Sequence, residues 1–334
     1  MRGFETPEDV IEWLQAYSAS AALGAALELG LPWLLAARPM AGDEVARALG
    51  IPPARCRAWL LVLGRIGLLE AGPGGWGLSV GARRAILESY GPESWALLAT
   101  EERERFPSVL DLAPRLTLPE ADPSASPGGV DDYAQQMVDD PERARVFTRM
   151  LYELHQPLAE ALAEALDARG ARRLLDLGGG SGVMSLALLR RNPGLTSVVA
   201  DIETVCAAGR IIAAENCLQD RITYLAADLV AGPLPGGFDL ALECDVGVYN
   251  EMLFSNVREA LNQGGRFVIV DQLPDTPDAV PPGVLHWVFA ASISGPPSDP
   301  MTTARLERML AGCGFTISGE AALPDGFRMI EARP

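Results

Sequence analysis

One stretch limits the possible folds more than any other: LLDLGGGSGVMSLALLRRNPGLTSVVADIE, residues 174–203. An apolar run stops at Asp176, glycines stand at 178, 180 and 182, and a helical apolar run follows. A second apolar run then ends at Asp201. Glycine lets the chain turn sharply off a strand and lets a ligand approach bare backbone. Strand, glycine turn, helix and strand together predict a parallel sheet whose ligand lies at the carboxyl ends of its strands.

The same alternation continues to the end of the chain. RRLLDLG, LTSVVAD, ITYLAAD, FDLALEC and RFVIVD read as strands, with ETVCAAGRIIAAEN and NEMLFSNVREALNQGG as helices between them. Such alternation implies an α/β domain, a mostly parallel sheet covered on both faces. The end differs: helix MTTARLERMLAGCG precedes FTISGEA, a turn at LPDG, and FRMIEAR. Two strands joined by a tight turn predict an antiparallel C-terminal strand closing the sheet, seven strands in all.

The first hundred residues follow another pattern. Apolar residues recur at helical spacing from residue 9 to about 40, interrupted by Gly24, Gly30 and Pro32. A short helix from Asp43, a turn at Gly50 to Pro53, a second helix through Leu63 and a hairpin (LLEA, WGLSV) complete a winged-helix outline. Its second helix carries Arg55, Arg57 and Arg65 but is mostly apolar. The formal charge of −17 also disfavours phosphate as a partner. Packing and dimerisation therefore outrank DNA binding. Residues 93–165 read as helical around a loop at 117–129, with a long helical run broken near Pro157. The expected organisation is 1–100 winged-helix-like, 101–165 a helical connector, and 166–334 the α/β ligand-binding domain.

Five cysteines lie scattered, without metal-ligand spacing, so neither a metal site nor a disulfide framework is expected. The sequence holds no apolar run of membrane-spanning length, and the start lacks a basic segment followed by an apolar core. A cytoplasmic protein with no membrane partner is the reading that results.

A dinucleotide fingerprint would place its third glycine one residue later. Here Asp176 ends the first strand, and a carboxylate there suits an amino group or a sulfonium better than a pyrophosphate. Asp201 closes the next strand, where it can accept ribose hydroxyls; Asp228 closes the third, within reach of an adenine amino group. Each alone would read as a helix N-cap or a solvated turn. Three in series at adjacent strand ends point to one ligand.

With LLDLGGGSGVMSLALLRRNP, VVADIETV, RITYLAADLVAGPLPGGFDL, VREALNQGGRFVIVD and LERMLAGCGF in order, the chain resembles the S-adenosylmethionine-dependent small-molecule O-methyltransferases. That family includes plant phenolic enzymes and bacterial enzymes that tailor polyketides. The resemblance implies a Rossmann-like catalytic domain behind a winged-helix dimerisation domain, a homodimer, and S-adenosyl-L-methionine as cofactor. It implies Gly178 and Gly180 against the methionine part, Asp201 with Ile202 at the ribose, and Asp228 with Leu229 at the adenine. Asp176 and Glu243 complete the implied cofactor set.

Phenolic members carry a His-Asp-Trp triplet after the fourth strand, and its histidine deprotonates the acceptor. This chain reads LALECDVGVYNEMLF there. Ungapped counting puts Glu243 in the histidine's place, with Cys244 and Asp245 behind it. A buried carboxylate can act as a base if desolvation raises its pKa, or it can position the ligand. The two histidines, His155 and His286, fall on helices that approach the acceptor in relatives. His286 is the expected acceptor-pocket residue and base, and His155 a pocket residue; ordinary packing explains a lone histidine on a helix equally well. Trp287, Phe289, Tyr249 and Met150 are expected apolar walls. The function expected is methyl transfer to a hydroxyl of an aromatic or polyketide-like small molecule. The lost triplet leaves a second reading, a non-methylating use of the same cofactor in hydroxylation, decarboxylation or a pericyclic step. A third, a winged-helix regulator with a small-molecule sensing domain, fits the acidic charge least.

Overall fold

A computed structural model describes residues 3–110, 112–117, 130–229, 232–294 and 300–334. Apart from Thr117, the loop expected at 117–129 lies outside the described residues. The chain divides into two compact units, Met1–Pro107 and Ser108–Pro334.

In the first unit, Thr6 and Asp9 form a capping box that starts the helix Pro7–Glu28, with proline at its first position. Gly24, expected to interrupt this helix, lies inside it. One glycine costs a helix only about 1 kcal/mol relative to alanine, and the chain turns instead at Gly30, whose φ is 70°. Helices Gly42–Leu49 and Pro53–Arg65 follow, then strands β1 (Leu69–Gly72) and β2 (Gly75–Leu78), paired antiparallel. This is the winged-helix outline. Leu31, Leu35, Val45, Leu60, Leu63 and Leu69 form its buried centre.

The second unit holds a seven-stranded sheet. Its strands are β3 (Arg173–Leu177), β4 (Thr196–Asp201), β5 (Ile222–Ala226), β6 (Phe238–Cys244), β7 (Leu261–Asp271), β8 (Thr316–Ala322) and β9 (Arg328–Arg333). The order is β5-β4-β3-β6-β7-β9-β8. Strands β3 to β7 run parallel, and β9 enters antiparallel to β7 with β8 outside it. The order reverses between β3 and β6, which opens a crevice at their carboxyl ends. Strand β7 begins at Leu261, so the expected helical NQGG belongs to the strand's irregular start, beside a register shift.

The central strands β3 and β6 are largely apolar because both faces are covered. Leu162, Leu186, Leu189 and Leu240 pack on one side; Leu177, Phe254, Val257, Leu306 and Leu310 pack on the other. Burying one such side chain contributes about 1.5–3 kcal/mol. The helical run across 141–165 divides at His155, between Pro141–Leu154 and Gln156–Ala165. Pro157 is the cause: it has no N–H to donate, and its ring disfavours helical backbone before it.

Candidate active site at the carboxyl ends of the strands

Asp176 sits beneath the glycine loop and is wholly buried. A Cβ at Gly179 would fall 2.5 Å from its carboxyl carbon, so only glycine lets the loop cross it. Ser185 Oγ donates to Asp176 Oδ2 at 2.5 Å and stands 2.7 Å from Ser197 Oγ. Asp176 Oδ1 is buried without a partner. Burial pushes the carboxyl up to about 7, the Ser185 hydrogen bond pulls it down, and the Asp201 charge pushes it up again.

Gly178, Gly180 and Gly182 all take positive φ, 61°, 57° and 76°, so the loop needs glycine at each. Gly180 has open space where a Cβ would be, and its N–H donates to Asp201 Oδ2 at 2.8 Å. The Ile202 N–H donates to Asp201 Oδ1 at 2.7 Å. Each oxygen keeps a second lone pair for another donor. Burial raises the Asp201 carboxyl, and these two backbone donors lower it. Ile202 packs with Met137, Ala144, Val205 and Phe147. Asp228 is exposed just past β5, and Leu229 packs half-buried against the core.

Glu243 stands in β6, in register with Leu177 of β3 and Ile269 of β7. Its side chain is buried: Oε1 accepts from Val246 N and Gly247 N, both at 3.1 Å, and Oε2 has no partner. Burial first, then the Asp271 charge, holds this carboxyl well above the usual range, as the base reading requires. Its ordered oxygen nevertheless serves to fold the loop that follows. Val246 of that loop packs onto Gly178, where a Cβ would lie 2.7 Å from Val246 Cγ2. The loop after β6 therefore covers the start of the glycine turn.

The structure joins His155 to Asp245: Nε2 lies 3.1 Å from Asp245 Oδ2, and Nδ1 lies 3.1 Å from Leu151 O. Tyr249 donates its hydroxyl to Asp271 Oδ2, whose other oxygen accepts from Gln272 N at 2.6 Å. His286 is exposed on a different helix, Leu285–Ser294. Phe289 on that helix is 40% exposed, whereas Met150 is buried; the side chain of Trp287 lies outside the described residues. The His155–Asp245 and Tyr249–Asp271 pairs were not legible in the sequence. Asp245 takes a φ of 56°, and no residue pattern announces a left-handed aspartate.

An O-methyltransferase domain model matches residues 128–283. The chain is 30% identical to 3-hydroxy-5-methyl-1-naphthoate 3-O-methyltransferase of Streptomyces sahachiroi, over 76% of this chain and 73% of that protein. It belongs to the O-methyltransferase family. It is 26% identical to the tetracenomycin polyketide synthesis 8-O-methyl transferase TcmO of Streptomyces glaucescens, over 93% of this chain and 91% of that one. Among solved structures, PigF with SAH matches with a TM-score of 0.84 at 20% identity, covering 98% or more of both (99% here, 100% there).

This O-methyltransferase is an S-adenosylmethionine-dependent enzyme. The comparisons support methyl transfer and not the non-methylating alternative. The residues present fit the cofactor: open backbone at Gly180, a carboxylate with free lone pairs at Asp201, and buried carboxyl oxygens without partners at Asp176 and Glu243. That donor set is suited to hydroxyls, an amino group and a positive sulfonium. Among the described residues no helix is long and apolar enough to cross a membrane, and no three His, Cys, Asp or Glu side chains form a group able to hold a metal ion.

Proposed function

We propose that this enzyme methylates a hydroxyl group of an aromatic, polyketide-like small molecule. The observation that carries the reading is the loop after β6 folded onto Gly178, which brings Asp245 and Val246 beside the glycine turn. When bound, the cofactor supplies an electrophilic methyl on a sulfonium. Gly178 and Gly180 receive its methionine part, Asp201 and Ile202 the ribose, and Asp228 and Leu229 the adenine. The unpartnered oxygens of Asp176 and Glu243 offer it hydrogen-bonding atoms from beneath the loop. Reaction then depends on holding the acceptor oxygen close to the methyl carbon and in line with it.

On the acceptor side, Glu243 and His286 are candidate catalytic residues and His155 a candidate pocket residue, with the connector helices of 101–165 as pocket walls. Sequence resemblance supports a cytoplasmic homodimer joined through residues 1–100, and the chain's acidity argues against nucleic acid. Light scattering checks the dimer: twice the chain mass is expected, and a monomer mass overturns it.

The activity is tested with S-adenosylmethionine carrying a labelled methyl and a panel of hydroxylated naphthalenes and anthraquinones. Label recovered as a methyl ether is the expected product. Label recovered only on nitrogen or carbon, or no transfer by protein that binds the cofactor, would contradict hydroxyl methylation.

A further inference from the structure

We propose that Asp245 is the group that takes the acceptor's proton in this enzyme, and that His155 is its positioning residue. The inference deepens the reading above and rests on it, because it needs the methionine end of the cofactor at Gly178.

Four observations meet at this residue. The first is position: Asp245 directly follows β6, and its neighbour Val246 packs onto Gly178. The second is backbone geometry. A φ of 56° is uncommon outside glycine and turns the chain away from the strand direction. The Asp245 N–H holds that turn by donating to Val270 O at 2.9 Å.

The third is the histidine. Its two ring nitrogens each face an oxygen that can only accept, Leu151 O and Asp245 Oδ2, both at 3.1 Å. The arrangement is satisfied in full only when both nitrogens carry protons. His155 then has no lone pair left to act as a base itself; it acts as a cation that fixes the carboxylate. Among the described residues it is the basic side chain seen bonded to Asp245. Glu243 is held by Val246 and Gly247 N–H, and Asp271 by the Tyr249 hydroxyl and Gln272 N–H.

The fourth is access. The His155 side chain is 16% exposed and that of Asp245 41%. Asp245 Oδ2 points to the ring, which leaves Oδ1 for a ligand. Glu243, by contrast, is enclosed and already spends one oxygen on the loop.

The chemistry balances. The oxygen–carbon bond forms as the carbon–sulfur bond breaks, and that bond's electron pair stays on sulfur. The acceptor oxygen becomes positive as it is methylated, so its hydrogen becomes strongly acidic and passes to Asp245 Oδ1. A carboxylate is basic enough for a proton released at that stage.

The test uses Asp245→Asn and His155→Gln in the full chain, with 1-naphthol and 2-naphthol as acceptors. Asp245→Asn is expected to lower kcat by about 100-fold, the usual scale for losing a proton-transfer group. KM and calorimetric affinity for S-adenosylmethionine should stay within a few-fold. His155→Gln should lower kcat by about 10-fold with the same split. Independently of turnover, nitrogen NMR of labelled imidazole at pH 7 should show both His155 nitrogens protonated, the signal being assigned by its loss in His155→Gln. Asp245→Asn should return the ring to a neutral tautomer.

Wild-type turnover in Asp245→Asn, or a neutral His155 ring in the unaltered protein, overturns the proposal. If neither naphthol is methylated, the ring signature decides alone. Failure of the wild-type protein to bind S-adenosylmethionine would overturn the cofactor reading, and this proposal with it.

Discussion

The two sides of the crevice are built on opposite terms. On the β3–β4 side the backbone does the work: three glycines at positive φ, a buried carboxylate beneath them, and Asp201 oriented by two local N–H donors. On the β6–β7 side the chemistry belongs to side chains from distant segments, His155 with Asp245 and Tyr249 with Asp271. Under the proposed assignment, the first side would hold a ligand common to many reactions. The second is free to vary with the acceptor, since a change of one loop residue leaves the sheet intact.

The largest expected effect probes the cofactor side through pH. Asp176 has its carboxyl raised to about 7 in the folded chain against an ordinary value of 3.8. Its protonated form therefore supports folding fully below about pH 4, and that support is lost as pH rises through about 7. The ligand-free protein should lose up to about 4 kcal/mol across this window. Asp176→Asn should flatten the slope in urea unfolding followed from pH 4 to 8, and an unchanged slope would assign it to other groups.

Next is Gly182→Ala. A Cβ there would lie 2.8 Å from Tyr224 Oη and 2.9 Å from Ile222 Cδ1, at a φ of 76°. A loss of about 3 kcal/mol is expected in denaturant unfolding, from left-handed strain and overpacking together. Asp201→Ala sharpens the comparison further. It should weaken S-adenosylmethionine binding by roughly 1–3 kcal/mol through lost charge-assisted hydrogen bonds, and equal affinity by calorimetry would remove the ribose assignment.

The smallest effect lies on the acceptor side. Asn250 caps the helix Glu251–Ala260, its side chain accepting from Leu253 N at 2.7 Å. Asn250→Ala should cost about 1 kcal/mol of stability while leaving cofactor affinity alone. A matching loss of cofactor affinity would show that the two sides are not separable.

The sequence made the geometry of the β3–β4 side legible because its constraints are local. A glycine triplet after an apolar run and acids at strand ends are read in chain order, and so were the strands and the antiparallel closing pair. It also located the helix break, since Pro157 must disturb the backbone before it. What stayed hidden depends on contacts across many residues. His155 meets Asp245 only because the helix break and the β6 loop are brought together in three dimensions. Ungapped counting drew attention to Glu243, whereas the fold buries that residue within the strand and exposes Asp245 beyond it. His286 stands exposed on a separate helix, Leu285–Ser294.

The most direct measurement is a crystal structure of the enzyme with S-adenosylmethionine bound. The account predicts the methionine part against Gly178 and Gly180, the ribose on Asp201, and the sulfonium methyl directed toward the loop at Asp245. A cofactor seated elsewhere, or a methyl enclosed on the far side of the sheet from that loop, would contradict it.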